Sequence, residues 1–411
     1  MTDSDITHAI HPLSLADRPP REDRRPMILH ARVIAGDSGG PDKTILRSAH
    51  YLHSSVLRMA AVYIHPPRDR AMRDIRRRAR RWNCPLHHVG EVGPVDPRTV
   101  VRLLHLCKQL RVTIWHAHDH KTNALGLLLR RFWPMKLIST VHGWVDRDWR
   151  TRLYRRIDYF CLKHYDRVIA VSPPLAEDCL LHGLSPRRTL LILNGIDPHK
   201  YERPNSNTAV RLKLGIDPDA FVLGVVGRLS AEKGADRALR CLHAVRRDHP
   251  NVQLHVVGDG PEKPRLQALA GELEIQANVR WWGWRDELRP LYGAMDALLL
   301  PSFREGLPNA ALEAMAMRLP VAATPVGALP DLLDQGRCGV LLDQENESVW
   351  PGMIRPLIVS RRRREEIGRR ARRRIEEKYT FQRRMVKMKA LYKKLLRLPD
   401  HEHAHPYRRA A

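Results

Sequence analysis

The chain has 411 residues, 43% hydrophobic and 28% charged, with a formal net charge of +26 at pH 7. The hydrophobic fraction excludes a disordered chain, and the length suits two domains of roughly 100–200 residues each. The charge bears on partners, not on fold: it suits nucleic acid, an anionic membrane or phosphate-bearing small molecules, or else an arginine-rich solvated surface.

Residues 1–26 read as a flexible basic tail without the apolar stretch of a signal peptide. Short apolar strands then alternate with amphipathic helical stretches. The strands are expected at Met27–Ala35, Val56–His65, Val112–His116, Leu137–His142, Arg167–Val171 and Leu190–Leu193, with helices such as Pro97–Leu110 and Arg150–His164 between them. Such alternation implies a parallel sheet covered on both faces. Residues 27–200 thus form one Rossmann-like domain, and the polar segment 201–208 reads as a linker. The pattern restarts at Phe221–Gly227 and continues through Val252–Gly258, Val279–Trp282, Ala297–Pro301 and Pro320–Ala323, giving a second domain over 209–379. A last helix near 380–396 is placed to pack back on the first domain. No run reaches the ~18 apolar residues of a membrane span, so the expectation is a soluble or peripheral protein. The cysteines 84, 107, 161, 179, 241 and 338 form no C-x-x-C pair, which suits a reduced compartment.

Four segments carry the chemistry. Glu305-Gly306-Leu307-Pro308 follows a strand and opens a helix that carries Glu313. Backbone N–H groups at a helix N-terminus bind anions, and carboxylates accept hydrogen bonds from sugar hydroxyls. Gly227-Arg228 and Lys233-Gly234 follow another strand, where two cations can neutralise a diphosphate. Gly36 to Thr44 holds the paired glycines Gly39 and Gly40, which let a loop approach a ligand closely. His142-Gly143 ends a strand where a side chain can touch a ligand. The run His116, His118, Asp119, His120 offers ligands from one loop with no distant fourth, so no metal site is expected.

Taken together, these motifs resemble the family 4 retaining glycosyltransferases over residues 27–396. Also matched are Asn194-Gly-Ile-Asp197, Val257-Gly258-Asp-Gly260-Pro261, Gly283 and Pro325-Val-Gly327. The Gly39-Gly40 loop looks like that of members assembling exopolysaccharide and lipopolysaccharide. The segment Ala328 to Asp331 departs from the Gly-plus-acidic turn common in the family. The resemblance implies a GT-B fold, α/β, with two Rossmann-like domains whose parallel sheets face each other across a cleft. It implies a retaining hexosyltransferase that needs no metal or other cofactor and takes a UDP- or GDP-sugar to a glycan or lipid-linked acceptor. Arg228 and Lys233 would hold the diphosphate and Glu305 the sugar hydroxyls. Glu313 would hold the ribose, and the backbone of Gly306 and Leu307 the phosphate or sugar. His142 would lie near donor sugar and acceptor. Gly39 and Gly40 would close over the phosphates, with the base near Gly283 and Trp284.

The segment 68–82 sets Met72, Ile75, Ala79 and Trp82 on one face among arginines, the pattern of a helix lying on anionic lipid or packed on its own domain. Leu127–Lys136 and Arg147–Arg156 are further basic, aromatic patches, and the arginines of 361–364 and 369–374 read as a solvated helix face. The expected location is cytoplasmic, with peripheral attachment to the inner face of the cell membrane. Two other readings stand beside the transferase. One is a GT-B sugar-nucleotide epimerase, whose acidic catalysts are not found. The other is a nucleic-acid-binding protein, which would account for the charge but has no recognisable motif here.

Overall fold

The computed structural model describes residues 23–34, 40–67, 69, 71–93, 96–144, 149–204 and 206–399. The tail up to residue 22 and the loop residue Gly39 lie outside these. Two compact units result: residues 1–140, 146–169 and 382–411, and residues 141–145 with 170–381.

The first sheet contains β1 (Met27–Val33), β2 (Arg58–His65), β3 (Leu86–Gly90), β4 (Val112–Ala117), β5 (Lys136–Val141), β6 (Arg167–Ala170) and β7 (Thr189–Leu191), in the order β3-β2-β1-β4-β5-β6-β7. Every residue of β2 is buried, as befits a parallel strand covered on both faces. The helices of this region are α1 (Gly40–Leu52), α2 (Ala71–Arg81), α3 (Pro97–Leu110), α4 (His120–Arg130), α5 (Trp149–Lys163) and α6 (Pro173–Leu181). Asp119 starts α4 as a capping box with Thr122, and its carboxylate also accepts from the Val33 backbone at 2.8 Å.

Helix α2 buries Ala71, Met72, Ile75, Arg78 and Ala79 within its own domain and exposes arginines. Packing accounts for Met72, Ile75 and Ala79 of the expected apolar face, while Trp82 is half-buried.

The second sheet contains β8 (Phe221–Val226), β9 (Val252–Val257), β10 (Val279–Gly283), β11 (Ala297–Leu300), β12 (Val321–Ala323) and β13 (Val340–Leu341), in the order β10-β9-β8-β11-β12-β13, with every pairing parallel. Around it lie α7 (Asn207–Leu214), α8 (Ala235–Val245), α9 (Lys263–Glu272), α10 (Arg289–Ala294), α11 (Asn309–Ala316), α12 (Leu329–Leu332), α13 (Trp350–Val359) and α14 (Arg361–Lys378). Alternate residues feed opposite cores: Val222, Val226, Leu298 and Leu300 join one, Leu223, Val225, Leu254 and Leu299 the other. Residues 201–204 and 206 are irregular and α7 begins at Asn207, inside the expected linker. That segment is tied down, since Arg203 donates to the Met295 carbonyl at 3.0 Å. The arginines of α14 are not all solvated either. Arg372 is buried and donates to the carbonyls of Pro198, Tyr201 and Ala316.

The last helix, α15 (Phe381–Leu396), falls from residue 382 onward in the first unit. Its buried Tyr392 hydroxyl lies 2.7 Å from His116 Nδ1 and 3.2 Å from His30 Nε2. His116 Nε2 is 2.7 Å from Thr140 Oγ1, and His30 Nδ1 is 2.9 Å from His118 Nε2. Burial, with the Arg384 guanidinium adding to it, pushes the His30 pKa down to about 3. An unfolded histidine takes up its proton near 6.5. Between those values the unfolded chain binds more protons, so this residue costs stability as pH falls below about 6.5, by about 1.4 kcal/mol per pH unit until about pH 3. Urea midpoints measured from pH 7.5 to 5 are predicted to fall. In a His30→Leu variant that dependence is predicted to be weaker; equal slopes would show that the network takes up protons in the folded state.

Candidate functional site

The second sheet turns back on itself between β8 and β11: the chain runs outward from β8 to β9 and β10, then returns to β11 on the other side. At such a switch point the loops at the strands' carboxyl ends diverge and leave room for a ligand. The loop after β8 is 227–234, and the loop after β11 is 301–308.

These two loops are held together. Phe303 N donates to the Glu232 carbonyl at 2.9 Å. Gly234 sits in the left-handed region at φ +63°, and a Cβ there would come within 2.3 Å of the Pro301 oxygen. Arg237, almost fully buried, reaches the Pro301 carbonyl at 3.2 Å, pairs with Glu347 at 2.6 Å, and lies over the Phe303 and Trp350 rings. The result sets Lys233 Nζ 2.7 Å from Glu305 Oε2, while Ser302 Oγ donates to Oε1 at 2.8 Å. The Glu305 side chain is only 5% exposed and that of Lys233 31%, so this is no loose surface pair. Arg228 stands on the first of these loops, exposed.

Glu305-Gly306-Leu307 leads into α11. The helix begins at Asn309, one residue later than expected, because Pro308 has extended backbone (ψ 128°) and occupies the capping position rather than the first helical turn. Pro308 at the cap offers no side-chain acceptor to this end. The leading N–H groups of a helix have no intrahelical partner and carry its positive dipole end. Leu307's side chain belongs to the core, so only its backbone can face a ligand. Gly327 packs on this loop at φ +58°, where a Cβ would lie 2.1 Å from the Glu305 oxygen.

Glu313 lies one turn into α11 and is 3% exposed. The hydroxyls of Tyr201 and Tyr292 donate to its two oxygens at 3.1 Å and 3.0 Å. Burial, and then the Glu313 charge, raises the Tyr292 pKa well above its ordinary value, so the phenol stays protonated as a donor. A carboxylate has about four acceptor positions, and two phenols do not by themselves exhaust them. Glu305 and Glu313 are therefore buried and held, unlike two glutamates on a solvated turn.

Residues 141–145 cluster with this unit, and a Cβ at Gly306 would lie 3.0 Å from the His142 carbonyl oxygen. His142 is thus beside Gly306. Gly283 ends β10 at φ +64°, two strands from β8, and its carbonyl accepts from Gly258 N at 2.9 Å. Trp284 follows it, 39% exposed. Gly40 opens α1 in the other unit.

Sequence reasoning missed Tyr201, Tyr292 and Ser302. Tyr201 was placed in the linker; its role depends on a partner 112 residues away, for which no local pattern exists. The histidine run also resolves differently. His120 is exposed and stacks on Tyr154 at 5.2 Å, while His116 and His118 join His30 in a buried parallel stack. Those three could hold a metal by proximity. Their nitrogens lie within hydrogen-bond distance of one another, Thr140 and Tyr392.

Residues 206–374 match the model for glycosyl transferases group 1, and residues 38–200 that for glycosyltransferase family 4. A D-inositol 3-phosphate glycosyltransferase from Corynebacterium jeikeium is 32% identical over 282 residues, covering 62% of this chain and 67% of the relative. Across relatives of that description the chain spans 58% to 67% of their length. Among solved structures, Alr3699/HepE from Anabaena in complex with UDP and glucose aligns with a TM-score of 0.78 at 19% identity, covering 91% of this chain and 100% of that one. WaaG, a glycosyltransferase involved in lipopolysaccharide biosynthesis, aligns with a TM-score of 0.69 at 18% identity, covering 89% and 99%. With its two parallel-sheet Rossmann-like domains of the GT-B type and both family models matched in order along it, the chain belongs to the family 4 glycosyltransferases.

Proposed function

We propose that the protein is a retaining hexosyltransferase that moves a sugar from UDP- or GDP-sugar to a hydroxyl of a glycan or lipid-linked acceptor. Its place would be cell-surface polysaccharide or lipopolysaccharide assembly, working peripherally at the cytoplasmic face of the membrane. The observation that carries this is the pair of buried carboxylates on one loop–helix segment, Glu305 against Lys233 and Glu313 between two phenols, flanking the N-terminus of α11. UDP as donor nucleotide is favoured by its presence in the similar Anabaena structure.

In this reading the diphosphate lies at the N-terminus of α11, with Lys233 and Arg228 as cations and Glu313 accepting from the ribose hydroxyls. Glu305 aligns the sugar and fixes Lys233. The bond from the anomeric carbon to the phosphate oxygen breaks first, leaving an oxocarbenium-like sugar and a diphosphate whose added charge the two cations and the helix dipole stabilise. The acceptor hydroxyl attacks from the face the phosphate leaves, and its proton passes to the departing phosphate oxygen. His142, beside Gly306, faces donor sugar and acceptor. The base packs near Gly283 and Trp284. The two cations and the helix end supply the charge that a divalent ion supplies elsewhere.

Calorimetric titration with UDP, GDP and ADP tests the reading. One nucleotide is predicted to bind best, and Glu313→Ala to weaken it about 10- to 100-fold, as expected for losing charged hydrogen bonds of about 1.5–3 kcal/mol. Equal, salt-sensitive binding of all three would reduce the site to general phosphate attraction. Lys233→Ala is predicted to lower kcat about 10²–10³-fold, the usual cost of one donor to developing charge. A change confined to KM would remove Lys233 from the transition state. Chelator is predicted to leave turnover unchanged; loss restored by a divalent cation would overturn the metal-independent mechanism.

A further inference from the structure

Helix α5 (Trp149–Lys163) has two apolar sides. One packs inward through Asp158, Tyr159, Cys161 and Leu162, all buried. The other faces outward and carries Trp149 at 64% exposure, Leu153 at 45%, Ile157 at 43% and Phe160 at 63%. At about 100° per residue these four fall within an arc of about 80°. Arg152, Arg156 and Lys163, all exposed, occupy the adjoining arc of about 40°. The one acidic residue of the helix, Asp158, is on the buried side. Helix α4 packs against α5, and Leu128 in its last turn, with Arg131 and Phe132 just beyond it, is exposed as well.

Large apolar side chains scattered singly over a surface are ordinary; four in one stripe on one helix are not. The stripe from Trp149 to Phe160 is about 16 Å long, too short to cross a bilayer and suited to lying along its headgroup boundary. Tryptophan favours that boundary, and long cationic side chains reach from it to lipid phosphates. A second copy of the chain is the poorer occupant. Stacking two such faces antiparallel would bring two rows of Arg152, Arg156 and Lys163 to the same rim, where like charges repel. Anionic lipid complements the row, and each cation near such a surface adds to binding.

We infer that the outer face of α5 is a membrane-docking surface, with Trp149, Leu153, Ile157 and Phe160 entering the headgroup region of an anionic bilayer and Arg152, Arg156 and Lys163 binding its phosphates. This rests on the peripheral reading above and moves the contact from α2, whose apolar face is used internally, to α5.

The test is co-sedimentation of the full chain, without nucleotide, with phosphatidylglycerol vesicles and with phosphatidylcholine vesicles at 50 and 500 mM salt. Wild-type protein should pellet with the anionic vesicles at low salt and much less with the neutral ones. Trp149→Ser with Phe160→Ser should lower the partition coefficient at least tenfold, and so should Arg152→Glu with Arg156→Glu. Arg76→Glu with Arg80→Glu on α2 should change it less than threefold. Circular dichroism and nucleotide titration of each variant should match wild type, since exposed positions outside the nucleotide site are changed. Wild-type protein that ignores anionic vesicles, or a Trp149/Phe160 variant that binds as well as wild type, overturns the inference. So does a wild-type dimer by sedimentation velocity that the same variant turns into monomer, because the face then meets a second copy. Loss of nucleotide binding in wild type with vesicle binding retained would strike the transferase reading and leave the docking surface standing.

Discussion

Parallel pairing of β8 with β11 is the constraint on which the second unit's site depends. Parallel strands end on the same edge, so the loops that leave them must emerge side by side. Because β9 and β10 are laid down on one side and β11 on the other, those two loops are neighbours in space although about 70 residues apart in sequence. Everything notable at the site follows from that adjacency: the Phe303–Glu232 backbone bond, the close approach of Gly234 to Pro301, and the Lys233–Glu305 ion pair. A register shift of one residue in β11 would turn these side chains to the other face.

Burial then gives the two carboxylates their character. An ionised carboxylate taken out of water costs several kcal/mol unless it is hydrogen-bonded or paired. Glu305 meets that requirement with Lys233 and Ser302, Glu313 with Tyr201 and Tyr292. Tyr201 is fixed in turn through its carbonyl by Arg372 of α14, so a residue far along the chain supports the site. Groups held this firmly act on a ligand with little reorganisation, which is what charge-separating chemistry asks of its surroundings.

The alternation of strands and helices was legible because parallel strands are continuous apolar runs: Arg58–His65 and Phe221–Val226 stand out at sight. The strand Leu86–Gly90 was not, since His87 and His88 at the sheet's edge break the pattern, and Val340–Leu341 is too short to show periodicity. The spacing of Glu305 and Glu313 marked them as candidates. Their phenolic and hydroxyl partners left no mark, because such pairings are set by tertiary packing. The basic segments show the same limit. From periodicity alone, 68–82 suits lipid as well as a domain core, and only burial distinguishes them. The outward stripe of α5 is hidden in sequence because the helix is apolar on its inner side too.

The central claim is that the loops after β8 and β11, with α11, form a nucleotide-diphosphate-sugar site. Locating the bound nucleoside diphosphate in a crystal structure of the protein tests it most directly. The account predicts the ribose hydroxyls on the Glu313 carboxylate and the diphosphate between Lys233, Arg228 and the start of α11. A nucleotide found instead against the arginine-lined cavity of about 660 Å³ around Arg203, Arg211 and Arg364, with Glu305 and Glu313 untouched, would contradict it.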